Sequence, residues 1–208
     1  IKEYAKSPKA DRPLIMCEYS HAMGNSNGTL AEYWEAIEAT RGLQGGFIWE
    51  MWDHGPVQTM PDGSKRNAYG GDYGETKHDG NFCCDGMVFP DRTAKPAMHE
   101  FKAIAAPAVI TGVNAATGQF KIFNKNFFKD LSQFQLQWSI TCDGVIQDGG
   151  VVKLPKVAPR KSVNFKISSK SLTKGTSRGE RFITFSLVCR CMCICPRFKN
   201  QKKCLRVP

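Results

Sequence analysis

Two short apolar runs, separated by a segment of helical periodicity, open the hydrophobic pattern of the chain. Leu14 to Cys17 follows a proline and is too short for a helix, so it predicts a strand buried on both faces, as in parallel sheets. Gly45 to Trp49 predicts a second buried strand. Residues 1–11 are polar and lysine-rich and predict a loop that leads into the first strand.

The segment between the two runs, Thr29 to Thr40, predicts a helix that Gly42 closes. Its apolar residues recur at helical spacing on one face, and we expect them to pack on the sheet rather than bind a ligand: Leu30, Tyr33, Trp34 and Ile37. The acidic residues of the solvent side are Glu32, Glu35 and Glu38. The order strand, helix, strand is the repeating unit of a parallel α/β fold.

Three further segments complete the first half of the chain. Pro61 to Ser64 predicts a turn. Tyr69 to Gly86 is rich in glycine and aspartate and predicts a long loop, and ordered loops of this length are often functional. Pro96 to Ile104 begins with a proline suited to a first helical turn and predicts a helix.

From Ala106 onward the pattern changes to short segments rich in alternating or β-branched apolar residues. Phe134, Leu136, Trp138 and Ile140 alternate with polar residues, which predicts a half-buried strand, and Asp143-Gly144 is a hairpin signal. We expect an immunoglobulin-like β-sandwich of about 80 residues. Its predicted strands are 108–113, 119–124, 134–142, 145–154, 162–167 and 181–188.

The formal net charge of +10 suggests nucleic-acid binding at first sight. Six of the basic residues lie after Val188, where no acidic residue occurs, and the remaining charges are scattered singly, which favours a solvated surface. No apolar run approaches the roughly 18 residues of a membrane span, and the first residues form no hydrophobic signal region. We expect neither a nucleic-acid nor a membrane partner.

Cysteines crowd into the last residues of the chain, 189–208, which hold five of the nine. Their alternating spacing does not fit the paired cysteines of zinc sites. We hypothesise that this Cys- and Lys-rich tail is a disordered read-through or mis-spliced translation. The other four cysteines are isolated or, at Cys83-Cys84, adjacent, which favours reduced thiols.

The first predicted strand ends in a carboxylate, Glu18, and residues suited to a sharp turn, Gly24 and Asn25, follow it. In barrels of alternating strands and helices, catalytic side chains lie at the C-terminal ends of strands. A carboxylate that bonds a neighbouring arginine or backbone amide has the same local pattern, so the pattern alone leaves both interpretations open.

Several motifs share the order and spacing of one family: Pro13 to Ser26, Leu43 to Trp49, Ala68 to Asp72, Asn81 to Cys83 with Gly86, and Phe89 to Thr93. From Arg12 to Val188 the chain resembles the large β-galactosidases of glycoside hydrolase family 2. The resemblance implies an α/β plus all-β architecture. Residues 1–105 would form the last two βα units of a TIM (β/α)8 barrel, and residues 106–188 the following sandwich.

The resemblance also implies site residues. Glu18 corresponds to the nucleophile of a retaining mechanism, His21 to the histidine that contacts the sugar and steadies the transition state, and Trp49 to the aromatic floor under galactose. The Phe82 carbonyl and the Asp85 side chain correspond to ligands of a sodium ion that in turn binds the galactose 6-hydroxyl, and Asp85 also corresponds to a substrate-binding residue. His78 occupies a position associated with magnesium.

Three positions depart from the family pattern. Asp85 and His78 each replace an asparagine, which changes the charge at the sodium position and the donor at the magnesium position. The sequence from Trp49 to Trp52, Trp-Glu-Met-Trp, replaces the more usual Trp-Asp-Trp. Glu50 therefore lies near the mouth but is not assigned as the acid.

The resemblance implies that the general acid/base, the first magnesium ligands and an early sodium ligand belong to barrel segments upstream of Ile1. We expect the full product to be a cytoplasmic, homo-oligomeric β-galactosidase that acts on terminal β-D-galactosides such as lactose, and the isolated chain to be inactive. The alternative is a non-catalytic truncated product or weak galactose-binding module.

Overall fold

The structure, a computed structural model, describes residues 1–173 and 179–190. The chain divides into two compact units, Ile1–Ile104 and Ala105–Pro208. The tail of the read-through hypothesis comprises residues 189–208. Of these, 191–208 lie outside the described part of the chain. Within the described part, no helix has the length and apolar character needed to cross a membrane.

The first unit is built around two parallel strands. Its elements are α1 (Lys2–Lys6), β1 (Leu14–Tyr19), α2 (Leu30–Ala39), β2 (Leu43–Ile48), β3 (Val57–Thr59), β4 (Lys65–Asn67) and α3 (Pro96–Ile104). The pairing of β1 with β2 is parallel, with Leu14 opposite Leu43 and Tyr19 opposite Ile48. The predicted strand, helix, strand order is confirmed.

Helix α2 packs its apolar face inward, as its periodicity predicts. Leu30 and Ile37 are buried, while the three glutamates of the opposite side are exposed. The indole of Trp34 donates a hydrogen bond to the hydroxyl of Tyr19 on β1 at 3.1 Å, and the Tyr33 ring meets the Tyr19 ring edge-on. The aromatic residues of α2 therefore serve packing, and the alternative of a sugar contact is not supported.

Burial of the two strands on both faces was predicted and is wrong. Ile15 of β1 is 58% exposed and Phe47 of β2 is 68% exposed, because these two strands form a two-stranded sheet. Burial on both faces requires covering layers on each side of a wider sheet. Tyr19 and Leu43 are buried on the side that α2 covers.

Two short elements of this unit were not predicted. Residues 1–11 were expected to form a loop but contain α1, whose first turn carries Glu3 and whose last turn carries Lys6, a charge order that suits the helix dipole. The turn at Pro61 to Ser64 joins β3 and β4 into a short antiparallel hairpin. As predicted, Tyr69 to Gly86 contains no helix or strand.

The second unit is a sandwich of two three-stranded antiparallel sheets, with strand orders β5-β6-β9 and β10-β7-β8. Its elements are β5 (Ala108–Asn114), a short 3-10 helix (Ala115–Thr117), β6 (Gln119–Asn124), β7 (Phe134–Cys142), β8 (Val145–Val152), β9 (Ser162–Lys166), α4 (Lys170–Thr173) and β10 (Arg181–Cys189). All six predicted strands are present, with ends that differ by up to two residues.

Side chains from both sheets form one core, including the buried Ile122 of β6, Leu136 of β7 and Phe185 of β10. The predicted alternation along β7 is confirmed, since Leu136, Trp138 and Ile140 are all buried. Asp143 and Gly144 both have positive φ, the conformation that a two-residue hairpin turn with matching twist requires.

We expect Gly46→Ala to lower the free energy of unfolding of the first unit by about 1–3 kcal/mol, because a Cβ there would lie 2.8 Å from the Met16 Cβ and 2.9 Å from the Met16 oxygen on β1. Urea denaturation followed by tryptophan fluorescence measures this. Gly28→Ala, whose Cβ would meet nothing within 4 Å, is the control. Equal stability of the two variants would contradict the observed packing of β1 on β2.

Candidate functional site

Parallel pairing brings the C-terminal ends of β1 and β2 to the same edge of the sheet. Past this edge the Trp49 amide donates to the Tyr19 carbonyl at 3.2 Å, and the Ala22 amide donates to the Trp49 carbonyl at 2.8 Å. The two chain segments therefore stay paired beyond the strands. This pairing keeps the chain at His21 close to the chain at Trp49.

The loop that follows Glu18 is closed by its own side chains. The Ser26 hydroxyl lies 2.7 Å from the carbonyl oxygens of both His21 and Met23 and can donate to either. Gly24 has a φ of +64°, which fits the sharp turn that the sequence predicts at this position.

A third segment, residues 83–88 (the 83–88 segment), runs along residues 50–54 (the 50–54 segment). The Glu50 amide donates to the Asp85 carbonyl at 2.8 Å, the Met87 amide to the Glu50 carbonyl at 2.8 Å, and the Val88 amide to the Met51 carbonyl at 3.1 Å. These bonds tie the end of the long loop to the chain just after β2. They carry the Asp85 side chain to the edge where His21 and Trp49 lie.

Asp85 is the centre of the resulting cluster. It is 2% exposed, and its Oδ2 accepts the indole N–H of Trp49 at 3.0 Å and lies 3.4 Å from Nε2 of His21. The exposed ring of Phe82 stacks on the His21 ring with centroids 5.4 Å apart. One carboxylate therefore orients an indole and an imidazole at the same edge.

Glu50 adjoins Asp85 and was not assigned a role from the sequence. Burial raises the pKa of Glu50, and a hydrogen bond to the Asp85 carboxyl raises it further, while nearby His54, with Nε2 at 3.3 Å, opposes the shift. The neutral form of Glu50 can donate its O–H to Asp85. Two of the three departures from the family pattern, Asp85 and the Trp49 to Trp52 sequence that contains Glu50, are thus in contact with each other.

Glu18 is exposed at the next-to-last position of β1. Glu18 is therefore not a core residue, and the expectation that it points into a barrel mouth stays a prediction. Among the residues that the structure describes, Glu18 takes no part in the hydrogen-bonded cluster around Asp85. The alternative interpretation was a carboxylate bonded to a neighbouring arginine or backbone amide. Within residues 1–173 and 179–190, the Glu18 carboxylate has neither kind of bond.

His78 lies away from the Asp85 cluster. Its Nδ1 accepts the Gly80 amide at 3.1 Å, and its ring lies against the backbone of Gly71. Within residues 1–173 and 179–190, no three or more His, Cys, Asp or Glu side chains are grouped as metal ligands. Magnesium prefers oxygen ligands in octahedral geometry, so this imidazole does not fit a magnesium site.

The sodium position fits better. Oδ1 of Asp85 is buried and has no hydrogen-bond partner among the described groups other than the neighbouring Glu50 carboxyl. A buried carboxylate oxygen that only one neighbouring carboxyl can reach is poorly compensated, and a hard cation is a suitable further partner for it. The Phe82 carbonyl belongs to the same loop, three residues before Asp85.

Five of the cysteines are in the described residues, and all five are free thiols. The prediction of reduced thiols concerned four of them, Cys17, Cys83, Cys84 and Cys142, and is confirmed. Burial, together with the adjacent Cys83, raises the pKa of the Cys84 thiol to about 11. The thiol form therefore dominates at neutral pH, and Cys84 is a poor nucleophile beside the site.

Two family models match the chain. Residues 1–110 match the model described as "Glycosyl hydrolases family 2, TIM barrel domain", and residues 120–191 match "Beta-galactosidase, domain 4". The chain belongs to glycosyl hydrolase family 2. The resemblance inferred from its motifs is thereby confirmed.

Relatives within the family are similar over most of the chain. A protein named beta-galactosidase from Priestia megaterium is 39% identical over 188 residues, which is 90% of this chain and 18% of that protein. A beta-galactosidase from Aeromonas hydrophila is 42% identical over 156 residues, covering 75% of this chain and 15% of the relative. The chain therefore spans less than a fifth of the length of these relatives.

A solved structure of a beta-glucuronidase from Bacteroides uniformis is also similar. The match covers 85% of this chain and 22% of the glucuronidase chain, with 15% sequence identity and a TM-score of 0.30. We draw the family membership from the sequence matches alone.

Residues of this family segment were also missed by sequence reasoning. Asp53 and Lys95 form a buried ion pair at 2.8 Å directly behind the Asp85 cluster. The long loop lies between Asp53 and Lys95 in the sequence, and no rule of residue spacing predicts that the two side chains meet. The available signal in the sequence was the presence of two acidic residues just after β2. It did not show that Asp53 would be buried and Glu50 partly exposed.

The raised pKa of Glu50 predicts a pH-dependent stability. As pH rises above the ordinary value of 4.5, the unfolded chain releases this proton before the folded chain does. Wild type should therefore lose stability relative to Glu50→Gln across that window, because glutamine mimics the neutral acid. Urea titrations in sodium-free buffer at several pH values measure the difference.

Glu75→Gln is the control of opposite sign. Backbone hydrogen bonds, including one from the Gly71 amide, lower the pKa of Glu75, so this variant should lose stability relative to wild type as pH rises. The contact between Glu50 and Asp85 would be contradicted if the difference in unfolding free energy between wild type and Glu50→Gln stayed constant with pH. It would also be contradicted if that difference changed with pH in the same direction as for Glu75→Gln.

Proposed function

We propose that the chain is the part of a retaining β-galactosidase that supplies the nucleophile and one side of the galactose site. The observation that carries the proposal is the Asp85 carboxylate, which orients the Trp49 indole and the His21 imidazole at the strand edge that also bears Glu18. The relatives named beta-galactosidase support galactosides as the substrate class. Lactose is a representative terminal β-D-galactoside.

Glu18 is proposed as the nucleophile. Its carboxylate forms a bond to the anomeric carbon while the glycosidic C–O bond breaks, and the departing oxygen takes a proton from a general acid that we do not assign in this chain. Water then cleaves the galactosyl ester, which gives retention. Retaining enzymes hold the two carboxyls about 5 Å apart.

Trp49 and His21 are proposed as sugar contacts. The half-exposed indole offers a flat apolar surface to the C–H face of galactose, and its N–H is already bonded to Asp85, which fixes the tilt of the ring. His21 is held between Asp85 and the Phe82 ring. Its imidazole can then donate to a sugar hydroxyl without first being ordered.

Asp85 and the Phe82 carbonyl are proposed to hold sodium. When bound, the cation would supply an electrostatic contact for a galactose hydroxyl. The chain's own contribution is the buried Oδ1 of Asp85, which lacks a partner apart from Glu50. We do not propose His78 as a magnesium ligand, since its donor does not fit.

The wider architecture is proposed from the same family membership. We propose that 1–105 supplies the last two βα units of the barrel, that 106–188 is an immunoglobulin-like sandwich, and that the full product is a cytoplasmic homo-oligomer. Support comes from the parallel β1 and β2 and from the two three-stranded sheets of the second unit.

A second candidate is a galactose-binding module without catalysis. It is favoured by one observation: the cluster of His21, Trp49, Phe82 and Asp85 is held together within the first unit by its own hydrogen bonds and ring contacts. Binding could therefore persist where turnover does not. The coding sequence before Ile1 separates the two candidates.

We expect the 208-residue chain alone to show no turnover of a chromogenic β-galactoside, because it carries no residue that we assign as the general acid. The assay compares it with the longest in-frame product of the gene. Glu18-dependent turnover by the 208-residue chain would contradict this expectation.

In that longer product, we expect Glu18→Gln to reduce kcat by about a thousandfold or more, since the amide cannot attack the anomeric carbon. Glu32→Gln, on the exposed side of α2, is the matched control and should retain full activity. Steady-state kinetics with both variants decide the point. Similar losses in the two variants, or none in Glu18→Gln, would refute the role of Glu18.

A further inference from the structure

A buried ion pair lies behind the Asp85 cluster. Asp53 is 6% exposed and Lys95 is 4% exposed, and the Lys95 ammonium donates to Oδ1 of Asp53 at 2.8 Å. The ammonium also lies 5.2 Å from the centre of the Phe89 ring. Desolvating two charges this deeply buried requires a large free energy, so apolar side chains would fill the same space with less loss of stability.

The same Asp53 oxygen holds the backbone beside Asp85. Oδ1 of Asp53 accepts the Gly86 amide at 2.7 Å in addition to the Lys95 ammonium. The fit is close: a Cβ on Gly86 would lie 2.2 Å from the Asp53 nitrogen and 2.3 Å from the Trp52 carbonyl carbon. Backbone therefore packs on backbone here, and the carboxylate clamps the two segments together.

Lys95 reinforces the clamp from the far side of the 83–88 segment. Its own amide donates to the Met87 carbonyl at 3.0 Å, and the Asp53 amide donates to the Val88 carbonyl at 3.0 Å. Both ends of the ion pair are thus bonded through their backbones to the two residues that follow Gly86. Little freedom remains for the Gly86 amide, or for the adjacent Asp85.

We infer that Asp53 and Lys95 are positioning residues, which lock the 83–88 segment so that the Asp85 carboxylate meets the Trp49 indole. Neither residue is assigned a contact with substrate. A contribution of Asp53 and Lys95 to sugar binding rests on the proposed function, but their effect on the position of Asp85 does not. The claim is that the Trp49 to Asp85 hydrogen bond depends on an oxygen acceptor at position 53.

A spectroscopic signal reports this bond directly. The indole N–H of Trp49 donates to a carboxylate, whereas that of Trp34 donates to the Tyr19 hydroxyl and that of Trp52 to the Pro90 carbonyl. In a 15N-labelled sample of the 208-residue chain, each indole N–H gives its own resonance. The Trp49 resonance can be assigned with Trp49→Phe and then followed in every other variant.

The decisive variant removes both charges at once. In Asp53→Leu/Lys95→Met no charge is left unpaired, so the unit should fold, but the Gly86 amide loses its acceptor. We expect the Trp49 indole proton to move upfield and to exchange with solvent about tenfold faster. The Trp34 and Trp138 resonances should keep their positions.

Asp53→Asn/Lys95→Met is the rescuing variant, because asparagine keeps an oxygen at position 53 and no buried ammonium is left without its partner. Its amide oxygen can still accept from Gly86, so the Trp49 resonance should lie close to its wild-type position although the charge at 53 is gone. Arg66→Met, which breaks the ion pair with Asp72 at 2.9 Å in the same unit, is the matched control and should leave Trp49 unchanged. This pattern separates positioning from a general loss of stability.

A folded double variant with an unmoved Trp49 resonance would overturn the inference. Equal shifts of all tryptophan indoles, or equal effects of Asp53→Asn/Lys95→Met and Asp53→Leu/Lys95→Met, would also overturn it, because they would show a purely structural role. These readouts do not involve turnover. If the longest in-frame product never hydrolysed galactosides, the proposed function would be refuted and this test would remain valid.

Discussion

The buried carboxylate of Asp85 is the group on which the candidate site depends. A carboxylate that is 2% exposed must be compensated, and here the compensation comes from the Trp49 indole, the His21 imidazole and the neighbouring Glu50 carboxyl. Each of these partners is thereby fixed in orientation. The need to satisfy one buried charge therefore organises the surface that would meet a sugar.

Backbone pairing brings that carboxylate to the strand edge. The parallel β1 and β2 define the edge, and hydrogen bonds from the 50–54 segment to the 83–88 segment return the long loop to it. Without the second pairing, Asp85 would belong to a loop with no defined relation to Trp49. The Asp53 and Lys95 pair adds a clamp at the residue next to Asp85.

Much of this arrangement follows from the sequence, because local periodicity and pairing rules cover it. The spacing of Leu30 and Ile37 predicted the buried face of α2, and the alternation along β7 predicted its core residues. The expected burial of Ile15 and Phe47 failed because a two-stranded sheet leaves one side uncovered. Periodicity describes which residues share a face, but not what covers that face.

The contacts of Glu50 and the ion pair between Asp53 and Lys95 could not be predicted in the same way. They join residues on opposite sides of a long loop, and the course of that loop is set by many carboxylate to backbone bonds, such as Asp72 to the Tyr69 amide and Glu75 to the Gly71 amide. Each of these hydrogen bonds is ordinary, but the course of the loop that they produce together cannot be read from the spacing of residues in the sequence. Only the folded chain shows which carboxylates become buried.

Whether this edge performs glycoside chemistry is tested most directly by covalent trapping. The longest in-frame product of the gene would be incubated with a 2-deoxy-2-fluoro-galactoside that carries a good leaving group, digested, and mapped by mass spectrometry. The account predicts one galactosyl ester, on the peptide that contains Glu18. A stable label on any other carboxylate, with Glu18 unmodified, would contradict it.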